Sequence, residues 1–192
     1  MKKVKRCVWP GTDPLMIAYH DTEWGVPCRN DQKLFEYMML DTFQAGLSWQ
    51  IILRKRENFR RAFSNFDASK IACYSEAKLA KLLADPGIIR NRLKIKGTVK
   101  NTQAYLQIQK EFGSFADYLW SFVANQPIIH RHQRDSQIAA SNRESDALSF
   151  DLKHRGFSFV GTTICYAFMQ GAGLINDHLT SCFRHVQVSP QK

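Results

Sequence analysis

Asp85-Pro86-Gly87-Ile88-Ile89-Arg90-Asn91-Arg92-Leu93-Lys94 is a turn set between two amphipathic segments. Gly87 suits a tight turn, and the segment after it opens a helix whose first amides lack intrahelical acceptors. Arg90, Arg92, Lys94, Lys96 and Lys100 follow at once. Outward amides beside basic side chains can hold a phosphate, and the pattern matches a helix-hairpin-helix of the kind that grips DNA without reading its sequence, with Gly87 and Ile88 forming the turn. The same residues also fit a plain connection between packed helices with solvated charges.

Outward from this turn, apolar residues recur at spacings of three and four, the period of helices buried on one side. Thr12-Asp13-Pro14 supplies a cap and a first-turn proline for a helix carrying Leu15, Ala18, Tyr19 and Trp24, closed by Gly25. Asp31 is expected to cap a second helix through Leu34, Phe35, Met38 and Met39 to about Gln44. Gly46 interrupts, and Ser48 starts a third through Ile51, Ile52, Phe59 and Phe63. Further helices are predicted near 67–73, 75–84, 90–111, 114–124, 144–154 and 160–172. The fold class is all-α, as a single compact domain over 1–192 made of two intimate helical lobes. The long polar gap at 125–142 reads as a surface loop between lobes.

The chain of 192 residues is 44% hydrophobic and 23% charged, the balance of a globular protein, and no apolar run approaches the ~20 residues of a membrane span. The basic residues 1–6 lead into no apolar stretch of a secretory signal, so a cytoplasmic protein is expected. The 27 Lys and Arg against 17 Asp and Glu leave a charge of +10, which favours a polyanionic partner. Arg54-Lys55-Arg56 with Arg60 and Arg61 reads as a solvated basic face. Five cysteines, at 7, 28, 73, 165 and 182, are odd in number and widely spread, which argues against a disulfide framework.

Two constellations carry possible chemistry. His178 and Cys182, four apart, are expected to share one face of a helical turn, while Cys7 and His20 lie near the other end of the chain. Together they would give a closed Cys₂His₂ zinc site; alternatively, the cysteines are small core residues and the histidines lie on the surface. Ligation by all four would leave no open position, making the ion structural and disfavouring a zinc-activated water. The second constellation is the corner from Asp41 to Trp49, with Tyr19 and Trp24 on the first helix. Aromatic faces attract a planar cation and a carboxylate accepts from its exocyclic amine, although such aromatics also suit a core.

The stretches Asp13-Pro14-Leu15, Ala18-Tyr19-His20-Asp21 and Glu23-Trp24-Gly25-Val26-Pro27 resemble the N-terminal signature of the DNA-3-methyladenine glycosylase I family. So do Gln44-Ala45-Gly46-Leu47-Ser48-Trp49, Lys55-Arg56-Glu57-Asn58, Gly87-Ile88-Ile89-Arg90, Arg155-Gly156-Phe157, Val160-Gly161-Thr162-Thr163-Ile164-Cys165-Tyr166 and Asn176-Asp177-His178. The resemblance runs in order from about Cys7 to Cys182. It implies a two-lobed helix-hairpin-helix glycosylase that excises 3-methyladenine from alkylated double-stranded DNA in base excision repair, with no membrane or obligate protein partner inferred. It also implies structural Zn2+ on Cys7, His20, His178 and Cys182, and a base pocket that includes Trp49 and Tyr19. Where the family's pocket has a glutamate this chain has Asp41, and where it commonly has a tyrosine this chain has Met16. These departures leave open a lesion-binding homologue with weakened or altered base specificity. An alkylated adenine already carries positive charge, so monofunctional hydrolysis needs base extrusion, cation recognition and stabilisation of the sugar cation more than a strong acid.

Overall fold

Local caps set most of the helix boundaries in the computed structural model, which describes residues 4–189. Helix α1 (Pro14–Thr22) starts where the Asp13 carboxylate accepts from the amides of Leu15 and Met16 at 2.9 and 3.2 Å. Helix α2 (Asp31–Gln44) is capped by Asn30, whose Oδ1 accepts from the Lys33 amide at 2.9 Å, and not by the expected Asp31. As the first helical residue, Asp31 faces away from its own amides and receives those of Phe115 and Ala116 at 2.8 Å, fixing the start of a later helix. Helix α3 (Trp49–Ala62) follows Ser48, as its sequence suggested, but without a side-chain cap bond.

Helices α4 (Ala68–Ile71), α5 (Glu76–Ala84), α6 (Arg92–Phe112), α7 (Phe115–Ser121), α8 (Arg143–His154) and α9 (Thr162–Gly171) occupy the predicted segments, most with shorter bounds, while α6 runs on to Phe112 and α8 starts a residue early at Arg143. The chain is mostly helical, and no helix among the described residues is long and apolar enough to cross a membrane. A large apolar core draws on α2 through α9, with Phe35, Phe43, Phe59, Phe63, Trp120 and Phe168 at its centre. A smaller cluster gathers Cys7, Met16, Tyr19, Trp24, Leu53, Leu179 and Cys182, and Trp49 packs against both.

Two elements escape the helical period. Strands β1 (Ile128–Ile129) and β2 (Ile175–Asn176) pair in parallel, with Ile128 opposite Ile175 and Ile129 opposite Asn176. Beyond the paired residues, the His130 amide donates to the Asn176 carbonyl at 3.1 Å and the Thr180 amide to the His132 carbonyl at 2.8 Å. The polar gap is therefore tied down by pairing rather than being only a surface loop. A short helix α10 (Phe183–Gln187) ends the described chain. The turn from α9 into β2 requires Gly173, which has φ +73° and whose absent Cβ would lie 2.3 Å from the Val26 carbonyl carbon.

Candidate functional site

A cavity of about 400 Å³ is lined by all five residues singled out as a base pocket, Met16, Tyr19, Trp24, Asp41 and Trp49. Met16 and Tyr19 stand three apart on α1 and so share a face, Asp41 comes from the last turn of α2, and Trp49 is the first residue of α3. The rings meet at angles: Tyr19 and Trp49 lie 5.3 Å apart at 50°, and Trp9 and Trp24 lie 5.0 Å apart at 67°. They form the walls of a box around the opening instead of closing it as a stack.

Three buried polar atoms of the cavity wall lack partners among the described residues. Indole Nε1 of both Trp9 and Trp49 is buried with no acceptor, and Asp135 Oδ1 is buried with no donor among the described residues. Native interiors rarely leave such groups unmet unless a ligand or water meets them. Asp41 is only 5% exposed, and burial raises its carboxyl well above the usual carboxylate range. Burial also raises the Tyr19 phenol, with the nearby Asp41 adding to it. A cation entering the cavity would supply the charge partner that Asp41 lacks. Trp9, Gln44, Asp135, Ile138 and Gln170 also line the cavity and were not singled out in the sequence. Trp9 precedes the first helix and so has no period to reveal it; its only sign was its position two residues after Cys7.

Cys7, His20, His178 and Cys182 are all buried, and their ligand atoms lie within 4.8 Å of one another. Cys182 Sγ stands 3.5 Å from His20 Nε2 and 3.6 Å from His178 Nδ1, and Cys7 Sγ is 3.7 Å from His178 Nδ1. The expected helical turn through His178 and Cys182 is absent: both precede α10, and Cys182 is its N-terminal flanking residue. A loop held by the Leu179 amide on Cys7 Sγ at 3.4 Å brings them together instead. The outward ring nitrogens are occupied, with His20 Nδ1 2.7 Å from Asp21 and His178 Nε2 3.0 Å from the Trp24 carbonyl. This arrangement turns the other nitrogens toward the thiols, as metal-binding histidines require. The buried cluster can therefore hold a metal ion by its donor set and by the orientation of its outer partners.

The turn between α5 and α6 differs in detail from its sequence reading. Gly87 is needed for close approach: its amide donates to Asp85 Oδ1 at 2.7 Å, and an added Cβ would lie 2.9 Å from that oxygen and 3.2 Å from the Asn58 side chain. Lys55 Nζ and Asn58 Nδ2 donate to the Gly87 carbonyl at 3.2 and 3.1 Å, so α3 braces the turn. The Leu93 and Lys94 amides, expected to be free, are taken by Asn91 Oδ1 at 3.0 and 3.1 Å. The Ile89 and Arg90 amides have no acceptor among the described residues, and Arg90 and Arg92 are exposed.

Two residues expected to face DNA do not. Ile88 is 3% exposed and anchors the turn in the core. Lys94 is buried, and its Nζ donates to the Phe43 and Ala45 carbonyls at 2.7 and 2.6 Å, capping the end of α2 beneath the Asp41 corner. In the second basic cluster Arg54 and Arg61 are solvated as expected, Arg54 while pairing with Asp13 at 2.7 Å, but Arg60 is drawn to Glu36 at 2.7 Å and Arg56 grips Glu23 through two nitrogens at 2.7 and 2.8 Å.

A family model described as methyladenine glycosylase matches residues 9–185. DNA-3-methyladenine glycosylase 1 of Escherichia coli (strain K12) is 51% identical over 179 residues, covering 93% of this chain and 96% of the relative. DNA-3-methyladenine glycosylase of Haemophilus influenzae is 45% identical over 177 residues, covering 92% and 96%. A crystal structure of a 3-methyladenine DNA glycosylase I superposes with a TM-score of 0.91 at 51% identity, over 93% of this chain and 98% of the other. A structure of the Staphylococcus aureus enzyme, described as showing the basis of 3-methyladenine recognition, gives 0.91 at 33% identity, over 97% of each chain.

Proposed function

The chain belongs to the methyladenine glycosylase family, and from that premise we propose that it hydrolyses the N-glycosidic bond of 3-methyladenine in alkylated double-stranded DNA. The observation that carries this reading is the cavity that sets a buried, unpaired Asp41 carboxyl among aromatic walls. The substrate base is cationic and planar once it is turned out of the helix. Trp49 and Tyr19 meet its faces, a contact that neutral adenine makes without the cation-π contribution of ~0.5–2 kcal/mol. Asp41 accepts from the exocyclic amine, and the positive charge of the base offsets the burial that raises the carboxyl. Met16 and Trp24 close the sides.

As the C1′–N bond breaks, its electrons neutralise the base, and water adds to the sugar carbon with loss of a proton to solvent. No lysine lines the cavity among the described residues, which supports release without a covalent sugar intermediate or strand cleavage. Cys7, His20, His178 and Cys182 would hold a zinc ion that ties the N-terminal and C-terminal segments together, and ligation by all four would make its contribution structural rather than a reactive water. Trp24 couples that centre to the cavity, because its carbonyl meets His178 while its ring lines the pocket. The E. coli and H. influenzae relatives are both glycosylases by name, which favours turnover over lesion binding alone.

DNA is gripped at the α5–α6 turn as a helix-hairpin-helix, with the Ile89 and Arg90 amides and the Arg90 and Arg92 guanidinium groups on phosphate. Arg90→Ala and Arg92→Ala are each expected to weaken damaged and undamaged duplexes alike, and each to lower the slope of log affinity against log salt by about one. Fluorescence anisotropy across a salt series measures both effects. An affinity insensitive to salt would remove this surface from consideration.

A further inference from the structure

Beyond the cavity and the Cys/His centre, the β1–β2 ladder assembles a second group of metal-binding side chains. Backbone bonds from the His130 amide to the Asn176 carbonyl and from the Thr180 amide to the His132 carbonyl hold the segment after β1 beside the one after β2, and both histidine rings reach the same carboxylate. Asp177 follows β2 directly and is fully buried. Its Oδ2 is occupied by the Tyr166 hydroxyl and Gln170 Nε2, both at 2.7 Å. Its Oδ1 is turned to His130 Nδ1 at 2.6 Å and His132 Nε2 at 3.3 Å.

Ligand atoms of the three residues lie within 4.8 Å of one another, and His132 Nε2 is buried without a hydrogen bond among the described residues. Metal bonds of 2.0–2.1 Å at tetrahedral angles separate donors by about 3.3 Å, so a small opening of the His130 contact would admit an ion. Tyr166 and Gln170 hold the carboxylate as outer partners of a metal ligand do. The histidine side chains remain 31% and 19% exposed, leaving an entry path.

We propose that His130, His132 and Asp177 form a second metal centre, a two-histidine, one-carboxylate site for a divalent transition ion with coordination positions open to solvent. It is distinct from the neighbouring centre, since His178 turns its ring to Cys7 and Cys182 while Asp177 turns to the histidine pair. An imidazole and carboxylate donor set suits Zn²⁺, Co²⁺ or Ni²⁺ over Ca²⁺ or Mg²⁺. The ion would fasten the segment leading to Asp135 and Ile138, which line the cavity.

The test uses full-length protein without a histidine tag, its Cys/His centre already filled with zinc, titrated calorimetrically and spectroscopically with Co²⁺. A further equivalent should bind with visible d–d absorption and without the near-ultraviolet charge transfer of a thiolate ligand. His130→Ala and His132→Ala should each weaken that equivalent by more than about 100-fold while keeping the first zinc. Absence of a further equivalent in the wild type would overturn the proposal. So would its persistence in the double variant, or thiolate charge transfer on Co²⁺ addition, a wild-type readout that needs no variant to fold.

Discussion

Asp41→Asn is expected to slow release of 3-methyladenine from methylated DNA by roughly 10- to 150-fold, equivalent to ~1.5–3 kcal/mol, and at the same time to raise the melting temperature. Loss of activity follows from removing the carboxylate that the cationic base pairs with. The gain in stability follows from burial, which raises the native carboxyl well above the usual carboxylate range. Below about pH 3.9, the ordinary value for an unfolded aspartic acid, the group is protonated in both states and carries no ionisation penalty. As pH rises toward the raised native value, the unfolded chain gives up the proton that the native state retains, so stability falls and remains lower above it. An amide has no such penalty. The stability difference between Asp41→Asn and wild type should therefore be present at neutral pH and shrink as pH falls toward 4, as thermal melts across pH would reveal. Asp41→Glu should retain or improve release, most visibly beside Met16→Tyr, because both positions line one cavity and need not be additive. Base release by Asp41→Asn equal to wild type would remove Asp41 from the recognition role.

Cys182→Ser is expected to lose the structural metal and on the order of 3–5 kcal/mol of stability, a fall in melting temperature of roughly 10 °C or more. The serine would leave Cys7 and two buried histidines facing one another without a thiolate to complete the set. Chelation of the wild type should reproduce the loss. Because Trp24 bridges His178 and the cavity, base release should fall as well. A wild type that keeps its melting temperature after its metal is removed would overturn the structural role of the cluster.

Helices and pocket residues were largely legible because each depends on local signals. Asp13 before Pro14 marks a start, and Met16 and Tyr19 at helical spacing share a face. Signals that depend on a partner distant in sequence were not. Asp31 was expected to cap its own helix but caps α7, since nothing local distinguishes an N-cap from a first-turn carboxylate. Lys94 belongs to a basic run, yet its position in α6 points its ammonium at two carbonyls near the end of α2. The two-residue strands are too short to show alternation, so the wall that brings Asp135 and Ile138 to the cavity had no period to betray it. His178 and Cys182 were paired correctly for the wrong geometric reason, as a loop and not a helix brings them together.

Whether the cavity performs base excision is tested most directly by incubating purified wild-type protein with a methylated duplex and following free bases chromatographically and strand integrity by gel. The expected result is catalytic release of 3-methyladenine, many equivalents per enzyme, leaving abasic strands intact until alkali is added. A protein that binds the methylated duplex yet releases no 3-methyladenine, with its metal content intact, would contradict the proposed function.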